Sequence, residues 1–101
     1  MPELSNDVTI IAQVITERKR QDMQWGGPTH DDTHNEYDWL GYMAHQADKI
    51  TEILARNGFY GFLEQRELKT PVAYNLTRQH FIKIAALAVA AVESMDRKSK
   101  E

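Results

Sequence analysis

Acidic and imidazole side chains are concentrated in the first half of the chain, where they could bind a metal ion or exchange protons. Magnesium and manganese prefer several oxygen ligands, which makes carboxylates the candidates for a metal site. The predicted metal ligands are Glu17, Asp31, Asp32 and Asp38. The predicted catalytic residues are Glu17, Asp32 and His45. We expect Glu17 to share one cavity with the two aspartates that follow the first tryptophan.

Polar and aromatic residues interleaved with these acids are candidates for binding a substrate. An indole ring can stack on a nucleobase, and it can equally anchor a core or an interface. The predicted substrate-binding residues are Arg18, Gln21, Trp25, His30 and His34.

Ordinary structural roles stay open for the same residues. The two aspartates between the histidines could simply cap the next helix, and the histidines could be hydrogen-bonding residues of a loop. His45 could lie on a polar helix face or in a satisfied core position. Glu17 could pair with a buried cation instead of a metal ion.

Apolar residues at helical spacing predict three long helices, over about 6–24, 35–56 and 70–97. The apolar stripe of the first helix is formed by Val8, Ile11, Ala12 and Ile15, and it is widened by Ile10 and Val14. Glu17 and Gln21 continue the row of Ile10 and Val14, so two polar side chains extend a core-facing row.

Turn and capping residues predict where these helices begin and end. Trp25-Gly26-Gly27-Pro28 breaks the first helix, and residues 29–34 show no periodicity and are predicted to form a loop. Thr33 and Glu36 have capping-box spacing for the second helix. Thr70-Pro71 begins the last helix, and residues 57–69 are predicted to form a packed connector with a short helical turn.

The predicted fold is an all-α bundle of three main helices, and residues 1–101 are treated as one domain. Between Phe81 and Val92 the last helix is apolar on nearly every face except at Lys83. One neighbouring helix could not cover that circumference. We therefore expect this helix to be central, or to form the interface of a homodimer or higher homo-oligomer.

Composition narrows the classes of partner. The chain has 101 residues and no cysteine, which suits a reducing compartment, and we expect it to be cytoplasmic. Its apolar runs are too short to span a membrane. The net charge of −3 makes nucleic acid an unlikely partner, although Arg18, Lys19 and Arg20 form one basic cluster.

Three short segments and the final helix occur in a distinctive order. The segments are Glu17-Arg18-Lys19-Arg20-Gln21, Gln24-Trp25-Gly26-Gly27 and His30-Asp31-Asp32-x-His34, and the final helix is Ile82 to Arg97. This order resembles small phage and prophage proteins allied to MazG. The resemblance implies an all-α dimer or dimer of dimers that hydrolyses a nucleoside triphosphate to the monophosphate and pyrophosphate, with magnesium held by helix carboxylates.

The chain departs from the acidic signature of these proteins, which is EExxE on one helix and ExxD on the next. When Trp39-Leu40 is laid on the similar pair of the relatives, the first two acids fall on His45 and Gln46. Two readings follow. In the first, the protein binds nucleotides, either without cleaving them or with a hydrolytic site moved to Glu17, Asp31, Asp32 and Asp38. Alternatively, it is a non-catalytic phage or prophage interaction protein that uses the helical scaffold to bind a host protein.

Overall fold

The computed structural model describes residues 6–56, 64, 67, 68 and 70–100. Four helices occur in these residues, in the order α1 (Asn6–Trp25), α2 (Pro28–Asp31), α3 (Glu36–Arg56) and α4 (Pro71–Ser99). The three long helices confirm the predicted all-α bundle. The predicted connector with its helical turn lies almost wholly outside the described residues.

The long helix α4 is the element on which the others pack. Each of α1, α2 and α3 contacts α4. Trp39 of α3 packs against Ala90 and Ala91, and the Gln46 side chain meets His80 further along α4. Because residue numbers rise along α3 as they fall along α4, the two helices are antiparallel. The fully buried positions of α4 are small (Ala86, Ala90, Ala91 and Ser94), which lets neighbouring helices approach closely.

Helix α1 presents a partly polar face to α4. Gln21 is buried and the Glu17 side chain is 13% exposed, which confirms the prediction that these residues extend a core-facing row. The prediction that the apolar stripe of this helix packs into the core of a single chain is wrong, because Val8, Ile11 and Ile15 are 45–57% exposed. The physical reason is that polar contacts hold α1 on α4. Arg78 donates a 2.6 Å hydrogen bond to Gln13, for example.

The turn between α1 and α3 differs from the predicted loop. Gly26 and Gly27 have φ angles of 107° and 72°, which L side chains rarely adopt, so they end α1 as expected. Pro28 then begins the short helix α2, where proline's missing N–H costs nothing. Helix α3, the second of the predicted long helices, is capped by Asn35 and Asp38, each side chain accepting from the other's backbone N–H, and not by the predicted Thr33–Glu36 pair.

The start of α4 matches its prediction. The Thr70 hydroxyl accepts a 3.1 Å hydrogen bond from Ala73 N, and Pro71 occupies the first turn. The helix runs two residues beyond the expected end, to Ser99. In the described part of the chain no helix is both long and apolar enough to cross a bilayer.

Candidate functional site

A cleft of about 630 Å³ opens where the end of α1, the α2 turn and the first half of α3 face α4. Small-molecule sites typically enclose about 300–1,000 Å³, so the cleft has the size of a ligand site. Its walls combine cations, imidazoles, aromatic rings and amides, and they include Arg18, Arg20, Lys83, Asp31, His30, His34, His45, Trp25, Trp39, Tyr42, Gln21, Gln24 and Gln46.

The formal charge of the cleft lining is positive. Among the described residues, Arg18, Arg20 and Lys83 line the cleft, against the single carboxylate of Asp31. The positive charge of Lys83 also acts on Glu17 nearby, where it adds to the hydrogen bonds from Arg20 that hold the pKa of Glu17 below its usual value. Arg20 and Arg18 are also paired with Glu17 and Asp22, which lie outside this lining, so the charge that the cleft offers an anionic ligand is smaller than the three cations alone would give.

Arg18 is held firmly in the wall of the cleft. Its Nη1 donates to Asp22 Oδ1 at 3.1 Å, its Nη2 lies 3.9 Å from Asp31 Oδ2, and its side chain is 11% exposed. The Nε atom lies 3.7 Å from Glu93 Oε1, beyond hydrogen-bond range. Within the described residues this buried N–H has no hydrogen-bond acceptor.

Asp31 and Trp39 carry the other buried polar atoms of the cleft that lack a hydrogen-bond partner in the described residues. These atoms are Asp31 Oδ2 and Trp39 Nε1. Burial raises the pKa of Asp31 above its usual value, and the neighbouring Arg18 opposes that rise. A buried polar group without a partner costs about 1–3 kcal/mol.

Aromatic rings form a continuous chain along one wall. Trp25 is stacked over His30, with ring centroids 6.4 Å apart and an interplanar angle of 19°. His30 meets His34 edge to face, and His34 in turn contacts Trp39 and Tyr42, at centroid distances of 5.4 and 5.2 Å. Trp25 and Tyr42 are exposed, so their rings are accessible to a planar ligand.

Two of the predicted metal ligands are held in ion pairs with arginines. Glu17 accepts hydrogen bonds of 2.6 and 2.9 Å from Arg20. Asp32 accepts from Arg97 Nη2 at 2.7 Å and from the Ser94 hydroxyl at 2.9 Å, and the Arg97 contact lowers the pKa of Asp32. For Glu17 a paired cation was the alternative to a metal that the sequence left open, whereas for Asp32 that alternative was capping of the next helix.

The other two predicted metal ligands lie apart from this pair. Asp38 caps α3, and Asp31 faces Arg18 in the cleft. Across the described ranges, no three aspartate, glutamate, histidine or cysteine side chains form a group that could hold a metal ion. The four acids are therefore not assembled into one site, and metal binding by them stays a prediction.

The expectation that Glu17 shares a cavity with the aspartates is wrong. Glu17 lines a second cleft of about 500 Å³, on the other side of Arg20 and Lys83, whereas Asp31 lines the first. Asp32 lines neither, because it is turned towards Arg97 on α4. Glu17 belongs to the row of α1 that faces α4. Only Gln21, the last residue of that row, lines the first cleft.

The structure does bring the predicted substrate-binding residues together. Arg18, Gln21, Trp25, His30 and His34 all line the first cleft, and so does His45, a predicted catalytic residue. Sequence reasoning did not include Lys83, Tyr42 or Gln46 in the site. A signal for Lys83 was present, since it is the lone cation inside the apolar stretch of the last helix.

Comparison with known proteins identifies no relative of this chain. No protein-family description, curated protein or solved structure matches the chain.

Proposed function

We propose that the first cleft binds a nucleoside phosphate, as the resemblance to MazG implies. The observation that carries this proposal is the joining of three cationic side chains and several accessible aromatic rings in one cleft of about 630 Å³. A nucleotide needs both kinds of contact, because its phosphates are anionic and its base is a flat ring. A cytoplasmic location would give the protein access to such ligands.

The parts of the nucleotide are assigned by chemistry. Arg18, Arg20 and Lys83 would bind the phosphate oxygens, since hydrogen bonds between ionised groups are the strong ones. Trp25 and Tyr42 would stack on the base.

The proposal extends to hydrolysis of a nucleoside triphosphate to the monophosphate and pyrophosphate. Asp31 is better placed for this than Glu17 or Asp32, because it lines the cleft and one of its oxygens has no hydrogen-bond donor in the described residues. A carboxylate whose pKa is raised can exchange a proton closer to neutral pH. Magnesium or manganese would enter mainly as the complex with the triphosphate.

Two assays test this function in sequence. A thermal-shift screen of nucleotides should raise the melting temperature, because a ligand that binds only the folded state stabilises it by mass action. A pyrophosphate-release assay with magnesium or manganese then tests turnover, and Asp31→Asn should abolish it while Glu17→Gln retains it. Binding without release would leave a nucleotide-binding protein. A flat screen would reject the proposal in favour of a scaffold that binds a host protein.

We also propose that two copies of the chain associate through α4. Phe81, Ala85, Ala88, Val92 and Met95 follow one another at steps of four and three residues, the spacing of a coiled-coil seam. Phe81, Val92 and Met95 are exposed, and Ala85 and Ala88 are half-buried. The small central residues would let two α4 helices approach closely.

The shape of the single chain favours the same partner. Its radius of gyration is 16.2 Å and its extents are 51 × 43 × 21 Å. A compact domain of this length has a radius of gyration of about 13 Å. The described helices leave one face of α4 uncovered, and a second copy supplies a surface of matching spacing.

A further inference from the structure

We propose that His30 and His34 form a binding site for a divalent transition metal such as zinc. The two Nε2 atoms lie 3.2 Å apart, although the side chains come from residues four positions apart. Two histidines at this spacing on one face of a helical turn are a recurrent zinc-binding arrangement. The proposed ligands are nitrogen atoms, and not the carboxylates expected to bind magnesium.

The distance between the nitrogens fits a shared metal ion. Zinc binds imidazole nitrogen at about 2.0–2.1 Å, and two such ligands in a tetrahedral arrangement lie about 3.3 Å apart. The rings are nearly perpendicular, with an interplanar angle of 83° and centroids 4.8 Å apart. Only small shifts would then be needed to replace the shared hydrogen bond with two metal bonds.

The surrounding chain holds both histidines in place. After α2 the helical turn continues, because Thr33 N and His34 N donate to the carbonyl groups of His30 and Asp31. Lys98 of α4 donates to the carbonyl oxygen of His34, which ties this turn to the central helix. The His34 ring is also packed against Trp39 and Tyr42. Preorganisation of this kind lowers the cost of binding.

The carboxylate of Asp38 lies near the ring of His34, one of the two proposed ligands. Asp38 Oδ2 is 3.7 Å from His34 Nδ1, on the side of the ring away from Nε2. At this distance the carboxylate makes no hydrogen bond to the ring, and it favours a positive charge on or beside the imidazole by attraction alone. Asp38, predicted as a direct ligand, is thus better suited to support one.

The two histidines leave coordination positions open for water or a ligand oxygen. Imidazole favours zinc, nickel and copper over magnesium, which prefers oxygen. We therefore expect binding weaker than at a zinc site with four protein ligands. The inference does not depend on nucleotide binding, since zinc alone is the probe.

Calorimetric titration of the full chain with zinc chloride tests the site, in buffer without nucleotide. We expect one zinc per chain, unaffected by excess magnesium, with affinity at least tenfold weaker in His30→Gln and in His34→Gln. The matched control is His45→Gln, which removes an imidazole from the same cleft and should bind zinc normally. Absence of binding, or equal binding by all variants, would overturn the proposal.

A second measurement does not rely on variants that must fold. Imidazole ¹⁵N spectra of the wild-type chain should show zinc-dependent shifts of the His30 and His34 ring nitrogens, while those of His80 stay unchanged. Shifts confined to His45 or His80 would place the metal elsewhere and reject the site. Nucleotide titration in the presence of a chelator tests the nucleotide proposal separately, so either proposal can fail alone.

Discussion

Arg18 Nη2 lies 3.9 Å from Asp31 Oδ2, close enough for charge attraction but too far for a hydrogen bond. The two groups therefore attract one another by charge, while Arg18 Nε and Asp31 Oδ2 have no hydrogen-bond partner in the described residues. This relationship distinguishes Asp31 from Asp32, whose oxygens are engaged by Arg97. Burial raises the pKa of Asp31 although Arg18 opposes it, whereas the Arg97 contact lowers the pKa of Asp32, so the two neighbouring aspartates respond to pH in opposite directions.

Asp31→Asn should stabilise the protein at neutral pH. Burial raises the pKa of Asp31 above its ordinary value of 3.8, so the stability it contributes is present below 3.8 and is lost as pH rises through the folded-state pKa. Removing the charge avoids that loss. Melting curves should show a higher Tm than wild type at pH 7 and a difference that shrinks towards pH 3. A lower Tm at pH 7 would mean that the attraction of Arg18 outweighs burial.

Asp32→Asn should have the opposite effect and serves as the matched variant. The Arg97 contact lowers the pKa of Asp32 below 3.8, so its contribution is present above 3.8 and is lost as pH falls through the lower folded-state value. The variant should therefore melt below wild type at pH 7. Equal melting temperatures would show that the pair with Arg97 does not stabilise the fold.

Trp25→Ala should weaken nucleotide binding without weakening binding of inorganic triphosphate. Stacking of a base on an aromatic side chain contributes about 1–3 kcal/mol, so the loss should be roughly tenfold in Kd. Trp25 is 57% exposed, and its removal should leave Tm nearly unchanged. The control is Met23→Ala, an exposed position on the same helix outside the cleft. Equal losses for both ligands would argue against a base on this ring.

Lys83→Met should weaken binding of both nucleoside triphosphate and inorganic triphosphate. Hydrogen bonds to charged groups contribute about 1.5–3 kcal/mol, which corresponds to a loss of about ten- to a hundredfold in Kd. Lys19→Met removes the same charge from α1 at an exposed position outside the cleft, and its Kd should match wild type at moderate salt. Equal effects of the two substitutions would indicate only a general effect of net charge.

Val92→Glu should dissociate the proposed dimer. The substitution places a charge in the apolar seam of α4, where it would be buried without a partner. Val72→Glu is the control, because Val72 is exposed on the opposite side of the same helix. Light scattering should report a dimer for wild type and Val72→Glu and a monomer for Val92→Glu. A monomeric wild type would contradict the proposed interface.

The helices could be predicted because their signals are local. Thr70 and Pro71 begin a helix through contacts within one turn, and Gly26 ends one through its own backbone angle. The orientation of α1 could not be predicted in the same way. Its two candidate faces differ mainly in polarity, and the choice between them depends on polar residues of α4 such as Arg78, more than 60 positions away.

The sequence predicted which residues line the site, but not which acid pairs with which cation. Residue type identified Arg18, Trp25 and His34 as binding candidates, and they line one cleft. Which acid would be neutralised by which cation depends on contacts across the bundle, and Asp32 is bound by Arg97, 65 positions away. Carboxylates that look equivalent in sequence therefore have different environments.

Calorimetric titration of the wild-type chain with a panel of nucleoside triphosphates, in a magnesium buffer containing a zinc-selective chelator, tests the central claim most directly. The cleft account predicts that at least one triphosphate binds with one site per chain. It should bind more tightly than the corresponding nucleoside, which lacks the phosphates, and than inorganic triphosphate, which lacks the base. Absence of binding by every nucleotide, or binding no tighter than inorganic triphosphate, would contradict the account.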